Sequence, residues 1–167
     1  MTLKTKRLLL REIEDKDLEN IFKGLSNPKV TKHYGVRFNT LEATKEQMLW
    51  FSDKKQMWWA ICSPNNQVFY GAGGLSDIDL TSKIAEIGLW LLPAFWGKGI
   101  MKEALSCISN YGINHLKLRR IEGYVETENK QCNSAMSKLD FTHEKTMEDC
   151  EVKQGKSISI EVYAKTI

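Results

Sequence analysis

One stretch of the chain, residues 86–103, constrains the fold more than any other part of the sequence. It reads EIGLWLLPAFWGKGIMKE. The apolar run at its start predicts a β-strand that ends at the proline, and an amphipathic pattern predicts a helix over about 100–115. A Gly-Lys-Gly turn at residues 97–99 stands between them. Because this geometry brings free backbone N–H groups to the positive end of a helix dipole, the segment predicts a phosphate-binding site.

Two widespread phosphate-binding motifs do not describe this turn. The dinucleotide motif G-x-G-x-x-G needs a third glycine where this chain has Lys102. The Walker motif needs a serine or threonine after Gly-Lys, and Gly99 stands there instead. The turn therefore suits a phosphate ligand of another kind.

The stretch resembles the acetyl-CoA pyrophosphate loop of the GNAT N-acetyltransferases. The ribosomal-protein-alanine N-acetyltransferase-like branch typically reads A-E-I-G-Y-W-L-x-P-x-x-W-G-K-G-Y-A-x-E-A-L, and residues 85–105 follow it nearly throughout. The main departure is Met101, where a small residue is usual. Two other segments are similar to that family in the same order: TKRLLLR at 5–11 and ENKQCNS with KLDF at 128–141. In the last segment Cys132 replaces a usual serine and Asp140 a usual glycine, and Met136 stands where many members have tyrosine.

The resemblance implies one N-acetyltransferase domain over residues 1–167, with an α/β GNAT fold. Its sheet would be mixed, mostly antiparallel and twisted, splayed at the acetyl-CoA cleft and flanked by helices. Hydrophobic periodicity and turn residues agree with that order. They predict strands at about 5–12, 57–62, 68–76, 83–92, 121–127, 141–146 and 157–164, and helices at about 15–25, 28–34, 40–53, 100–115 and 131–139.

Composition excludes several classes of protein. With 42% hydrophobic and 27% charged residues, the chain is typical of a soluble globular domain. No apolar run approaches the ~20 residues of a membrane span, and arginines flank Leu8–Leu10, so no signal peptide is expected. A net charge of +3 predicts no nucleic-acid partner. The four cysteines and three histidines have no metal-ligand spacing, which favours reduced thiols in a cytoplasm and no metal cofactor.

The resemblance also implies where acetyl-CoA, the acetyl donor substrate, would bind. Its pantetheine arm would pair with the strand backbone at Leu89, Trp90 and Leu91 as an added strand does. Asn129 would hydrogen-bond the same arm, although a local turn is the alternative role for that side chain. The pyrophosphate would lie on the main-chain amides of five loop residues: Gly97, Lys98, Gly99, Ile100 and Met101.

Two residues are candidates for acid–base chemistry. By resemblance Glu86 faces the reaction centre and would help to deprotonate the acceptor amine; the alternative is a solvent-facing residue or a cross-strand ion-pair partner. Cys132 could protonate the departing CoA thiolate, since a thiol has a pKa near ~8.5. Simple packing of Cys132, with direct departure of the thiolate into water, is the alternative.

The acceptor is the least constrained part of the prediction. Tyr34 lies in the segment where the family builds its acceptor wall and could contact the substrate, as could Glu86. An α-amine of pKa ~8 is easier to deprotonate than a lysine amine near ~10.4, which favours a protein or peptide N-terminus. A small amine, such as a polyamine, amino acid derivative or aminoglycoside, is the second hypothesis, and a CoA-binding module without turnover is the third. The sequence leaves both monomer and homodimer open.

Overall fold

A computed structural model describes the whole chain, residues 1–167. Eight strands form one sheet in the spatial order β1-β2-β3-β4-β5-β6-β8-β7. Their bounds are β1 Leu3–Lys4, β2 Leu9–Glu12, β3 Met57–Cys62, β4 Phe69–Asp79, β5 Ile84–Leu91, β6 Arg120–Glu126, β7 Thr142–Lys153 and β8 Lys156–Thr166. All neighbouring pairs are antiparallel except β5 and β6, which run parallel. This is the single-domain α/β GNAT fold that the sequence predicts.

Five α-helices cover the sheet on both sides. Their bounds are α1 Leu18–Leu25, α2 Pro28–Thr31, α3 Leu41–Phe51, α4 Ile100–Asn114 and α5 Lys130–Lys138. Short 3₁₀ turns at Asp15–Asp17 and Pro93–Phe95 precede α1 and follow β5. None of the five helices has the length and apolar character needed to cross a membrane.

The sheet separates two hydrophobic cores because alternate strand residues point to opposite faces. The larger core packs α4 and α5 against one face and contains Leu10, Ile87 and Ile108. The smaller core lies under α1 and α2 and contains Trp58 and Trp90. The adjacent tryptophans of β3 therefore occupy different cores. Both are buried.

Three elements differ from the sequence expectation. The strand predicted at about 5–12 is present only as β2 at Leu9–Glu12, because a bend at residues 6–7 separates it from the short strand β1 at Leu3–Lys4. The last two strands form a hairpin that extends to a two-residue turn at 154–155, where Gln154 and Gly155 both have positive φ. Helix α3 buries Thr44 and Gln47 and leaves Leu49 73% exposed. The Thr44 hydroxyl can be buried because it donates a hydrogen bond to the Thr40 carbonyl.

Candidate active site

The parallel strands β5 and β6 separate partway along their length. Their register is limited to three residue pairs, and the last pair is Glu86 with Glu122. Beyond that point β5 stays paired with β4 as far as Leu91, so its other edge is open. A cleft of about 980 Å³ lies along this opening. The predicted splay of the sheet is therefore present and defines the candidate site.

The opened edge of β5 presents backbone groups to the cleft. Leu92 N–H donates to the Tyr70 carbonyl at 2.8 Å, so in this antiparallel ladder the even-numbered residues of β5 bond to β4. The backbone N–H and carbonyl groups of Leu89 and Leu91 therefore point away from β4, toward the open edge of β5. The Leu91 carbonyl accepts the Trp96 indole N–H at 2.9 Å, which leaves the Leu89 N–H and carbonyl free for a ligand. The backbone of Trp90 pairs with β4, and its side chain is buried in the smaller core.

The Gly-Lys-Gly turn forms an anion cradle next to the cleft, between Trp96 and Met101 of the cleft wall. Gly97 and Gly99 have φ of +73° and +77°, a conformation that glycine adopts without strain. The first hydrogen bond of α4 runs from Glu103 N–H to the Gly99 carbonyl. The N–H groups of Ile100, Met101 and Lys102 therefore have no partner inside the helix, and they suit a pyrophosphate.

A contact that the sequence analysis missed fastens this cradle to the start of the chain. The Glu103 carboxylate accepts hydrogen bonds from the Thr5 hydroxyl at 2.5 Å and from Arg7 Nε at 2.8 Å. Arg7 Nη1 also donates to the Lys98 carbonyl at 2.9 Å. Thr5 and Arg7 belong to the TKRLLLR segment, which the motif comparison identified but gave no role. Since Glu103 lies in the first turn of α4, Arg7 offsets a negative charge beside the anion cradle.

Glu86 lies where the two strands begin to separate. Its carboxylate is half-buried and has neither an ion-pair partner nor a hydrogen-bond donor among the protein groups. Burial raises the pKa of Glu86 above its usual range, and the nearby charges of Asp77 and Glu122 raise it further. A carboxylate left unpaired at such a position can accept a proton from a ligand. The alternative role of Glu86 as a cross-strand ion-pair partner finds no cation in the structure.

Two tyrosines flank Glu86. Burial and then the charge of Glu86 raise the pKa of Tyr34, which lies in the loop between α2 and α3 (the α2–α3 loop, residues 32–40). Burial, the charge of Glu122 and that of Glu86 likewise raise the pKa of Tyr124 on β6. Sequence reasoning named Tyr34 but missed Tyr124. The alternation of polar residues 122, 124 and 126 with apolar 121 and 125 was the available signal.

Helix α5 contributes the remaining predicted residues. Asn129 is its N-cap, and the side-chain oxygen accepts the Cys132 N–H at 3.3 Å, so the local role considered for Asn129 is present. Its side-chain nitrogen makes no hydrogen bond within the chain and lies in the cleft wall. Burial raises the pKa of Cys132 to about 11. Met136 is 2% exposed and fills the space above Gly123, where a Cβ would overlap its terminal methyl.

The structure brings most of the predicted site residues to one cleft, but Gly97, Lys98, Gly99 and Ile100 are not among the residues that line it. Its wall includes Glu86, Leu89, Met101, Asn129 and Cys132. Aromatic side chains of the smaller core and the α2–α3 loop line the half of the cleft away from the cradle: Tyr34, Phe38, Trp50 and Trp58. One half can therefore hold an extended phosphate-bearing ligand and the other a second substrate.

Comparison with known proteins identifies the family. Residues 7–142 match the model of the acetyltransferase (GNAT) domain. The chain is 30% identical over 167 residues to the uncharacterized N-acetyltransferase YoaA of Bacillus subtilis, covering 97% of this chain and 94% of that protein. The chain therefore belongs to the GNAT family, and it is an acetyl-CoA-dependent N-acetyltransferase.

Solved structures agree with the fold. A spermidine N-acetyltransferase from Vibrio cholerae, in complex with CoA and spermine, superposes with a TM-score of 0.89 at 18% identity, covering 97% of this chain and 96% of that one. The ribosomal L7/L12 α-N-protein acetyltransferase RimL, in complex with coenzyme A, gives 0.88 at 21%, covering 100% and 98%. At such identities the likeness concerns the fold alone, and it does not choose between the two kinds of acceptor.

Proposed function

We propose that the protein transfers the acetyl group of acetyl-CoA to the N-terminal amine of a protein or peptide, by direct attack in a ternary complex. One observation carries this proposal: the half-buried Glu86 carboxylate has no protein partner and lines the same cleft as Met101, which lies in the first turn of α4 directly after the Gly97–Gly99 turn. The four cysteines are all unpaired, which fits a reducing compartment such as the cytoplasm.

The anion cradle and the open edge of β5 would hold the acetyl donor. The amides of Gly97 to Met101 would bind the pyrophosphate, with Lys98 adding a charge. The free backbone groups of Leu89 would pair with the pantetheine arm, as an added strand pairs with a sheet edge. The free side-chain nitrogen of Asn129 would donate to the same arm.

Glu86 would act as the general base, directly or through one water. It removes the proton from the acceptor ammonium, and the amine nitrogen then attacks the acetyl carbonyl carbon. The new C–N bond forms as the C–S bond breaks, and the Leu89 N–H can stabilise the negative charge that develops on the carbonyl oxygen. With its pKa raised to about 11, Cys132 stays protonated at neutral pH and can donate a hydrogen bond to the leaving sulfur.

The cleft walls support a peptide N-terminus as the acceptor. Tyr34, Phe38, Trp50 and Trp58 provide an apolar surface that suits the side chain of a first residue. A single relayed carboxylate also suits an α-amine of pKa ~8 better than a lysine amine near ~10.4. The branch of N-terminal acetyltransferases that the sequence resembles has the same preference.

A polyamine or another small cationic amine is the second candidate. The carboxylates of Asp77 and Glu122 lie close enough to Glu86 to raise its pKa. Asp77 and Glu86 both line the cleft, and two acidic groups attract a polycation more strongly than a single charged amine.

Competition kinetics decide between the two acceptors. Short peptides with free N-termini and an apolar or acidic first residue are offered beside N-blocked lysine peptides, spermidine and an aminoglycoside. We expect the highest kcat/KM for a free N-terminus with an apolar first residue. A clearly higher kcat/KM for spermidine would replace the peptide proposal, and acetyl-CoA binding without CoA release for any amine would favour a binding module.

A further inference from the structure

The tip of the β7–β8 hairpin reaches the α2–α3 loop from the opposite side of the cleft. Lys153, the last residue of β7, directs its ammonium at three backbone carbonyls of this loop region. The distances from Nζ are 3.2 Å to Thr31, 2.8 Å to Lys32 and 3.1 Å to Tyr34. An ammonium has three N–H donors, so each donor of Lys153 finds one carbonyl. The Thr31 carbonyl also accepts the Tyr34 N–H at 3.1 Å, so the ammonium adds to a turn that the backbone itself begins.

A buried acidic residue lies beside this contact. Glu126 on β6 is 8% exposed, and its carboxylate lies 3.6 Å from Lys153 Nζ and 3.2 Å from His33 Nδ1. Burial of a carboxylate is costly unless charged or polar partners accompany it. Lys153 and His33 are those partners. The α2–α3 loop is thus held to the sheet by Lys153 of β7 and Glu126 of β6, which are both distant from the loop in sequence.

Glu126 also connects the two halves of the cleft. Its backbone carbonyl accepts the Asn129 N–H at 2.9 Å and the Asn133 side-chain nitrogen at 3.1 Å, which fixes the start of α5. Its carboxylate meanwhile faces the α2–α3 loop. The far end of that loop is held separately, by a hydrogen bond from Phe38 N–H to the Leu25 carbonyl at 2.9 Å. Tyr34 belongs to the first attachment, because its carbonyl is one of the three acceptors of Lys153.

The hairpin has little else to keep its tip against the loop. Strand β7 lies at the edge of the sheet, and nearly all its side chains are exposed, including Val152 at 77%. Lys156, opposite Lys153 in the hairpin, forms an ion pair with Glu128 at 3.1 Å that holds the tip near the start of α5. Lys153 supplies the contacts between the tip and the loop.

We propose that Lys153 is a positioning residue for the acceptor substrate: by tying the α2–α3 loop to the hairpin tip and to Glu126, it holds Tyr34 in the wall beside Glu86. This inference rests on the proposed acceptor role of Tyr34 and adds a residue that no motif indicates. Lys153 touches neither substrate, because its three donors are all used by the loop.

The test replaces Lys153 with methionine, which keeps the aliphatic length and removes the ammonium. For K153M we expect the KM of the peptide or spermidine acceptor to rise about tenfold, with the acetyl-CoA dissociation constant unchanged within twofold. K153R should recover most of the loss, because a guanidinium can also donate to several carbonyls. K145M is the matched control, since Lys145 is an exposed cation of β7 without an ion pair, and it should behave as wild type.

A second measurement does not depend on turnover. Trypsin can cleave after Lys32 and Arg37, which both lie in the α2–α3 loop. Release of the loop in K153M should speed cleavage at these two sites at least fivefold, whereas K145M should match the wild type. The proposal would be overturned if K153M were cleaved at the wild-type rate. It would also be overturned if the acetyl-CoA affinity of K153M fell by the same factor as the acceptor KM rises. If no tested amine is acetylated by the wild type, the acceptor assignment fails, and the cleavage rates still decide whether Lys153 holds the loop.

Discussion

At the scale of single residues, Glu86 combines features that rarely occur together. It is half-buried, it has no protein partner, and its pKa is raised by burial and by two neighbouring carboxylates. Structural carboxylates in such surroundings are normally paired, because an unpaired buried charge destabilises the fold. Its persistence without a partner is understandable if the partner is the acceptor amine, which is present only during turnover.

Replacement of Glu86 by glutamine keeps the shape and removes the base. We expect turnover near neutral pH to fall roughly 100-fold, the range typical of general-base removal, with little change in acetyl-CoA affinity. Wild-type kcat/KM should decline as pH falls through the raised pKa of Glu86, since only the ionised form accepts a proton. The deficit of E86Q should shrink as pH rises, because an amine of pKa ~8 then loses its proton unaided. Steady-state kinetics across pH measure both trends.

Glu122→Gln is the matched control for this prediction. Glu122 pairs with Glu86 across the two strands and carries the same charge, but it forms an ion pair with Arg120 at 3.0 Å. Its removal changes the local field without removing the proposed base. A loss of turnover in E122Q as large as in E86Q, or a pH-independent loss in E86Q, would assign Glu86 an electrostatic or structural role instead.

Short motifs indicated the positions of several site residues. Asn129 and Glu86 line the cleft, and Gly97 and Gly99 have the positive φ of a tight turn before α4. Their roles in binding and catalysis stay predictions. Arg7 and Glu103 were missed because their contact joins positions 96 residues apart, which no local pattern encodes. Met136 differs from the tyrosine of many members because it fills the core space that Gly123 leaves.

At the scale of elements, the start of α4 depends on a contact from outside the helix. Arg7→Leu removes the bond to the Lys98 carbonyl and leaves the Glu103 charge beside the anion cradle. Because Arg7 is half exposed, we expect a moderate effect, an acetyl-CoA affinity about tenfold weaker, with kcat at saturation nearly unchanged. Calorimetric titration measures the affinity.

Lys6→Leu is the control for the Arg7 variant. Lys6 is a neighbouring exposed cation without an ion pair, so its loss changes the net charge equally. If K6L weakens acetyl-CoA binding as much as R7L does, long-range charge explains the effect and the fastening of the cradle has no part in it.

The end of α5 offers a stabilising change. Asp140 has a φ of +62°, and the Phe141 N–H bonds to the Met136 carbonyl at 3.2 Å, as in a Schellman motif that normally takes glycine. Left-handed backbone costs an L-residue about 1–2 kcal/mol, partly offset by the greater unfolded-state freedom of glycine. Asp140→Gly should therefore stabilise the protein by about 0.5 kcal/mol and raise Tm by about 1–2 °C. Asp140→Ala retains the Cβ and should give no gain in a thermal melt.

Element boundaries were predicted best where hydrophobic periodicity is strong. Strand β3 and the start of α4 have the bounds that the sequence indicates. Residues 147–153 of β7 escaped prediction because an edge strand exposed on both faces shows no alternation. The bend that divides β1 from β2 has local hydrogen bonds between Thr5 and Leu8, and the contacts of Thr5 and Arg7 with Glu103, distant in sequence, add to them.

At the scale of the whole molecule, the splayed sheet links the two cores. The proposed acetyl-CoA side of the cleft is built from α4, α5 and the larger core, while the proposed acceptor side uses the smaller core and the α2–α3 loop. Glu86 and Glu126 stand where these parts meet. A ligand bound along the opening therefore contacts elements from both halves of the chain, and its binding should be visible in the stability of the entire protein.

Acetyl-CoA should raise the melting temperature of the protein by binding only its folded state. At a concentration 100 times the dissociation constant, the stabilisation is about 2.7 kcal/mol. For a chain of this size that corresponds to a rise of about 5–10 °C. Gly99→Glu should abolish the rise, because it places a carboxylate in the anion cradle, while Gly155→Glu should retain it. Gly99 and Gly155 have φ of +77° and +75°, so the two variants share similar backbone strain and differ in their distance from the cradle. An equal rise in both variants, measured by thermal melting, would remove the Gly97–Met101 loop from the acetyl-CoA site.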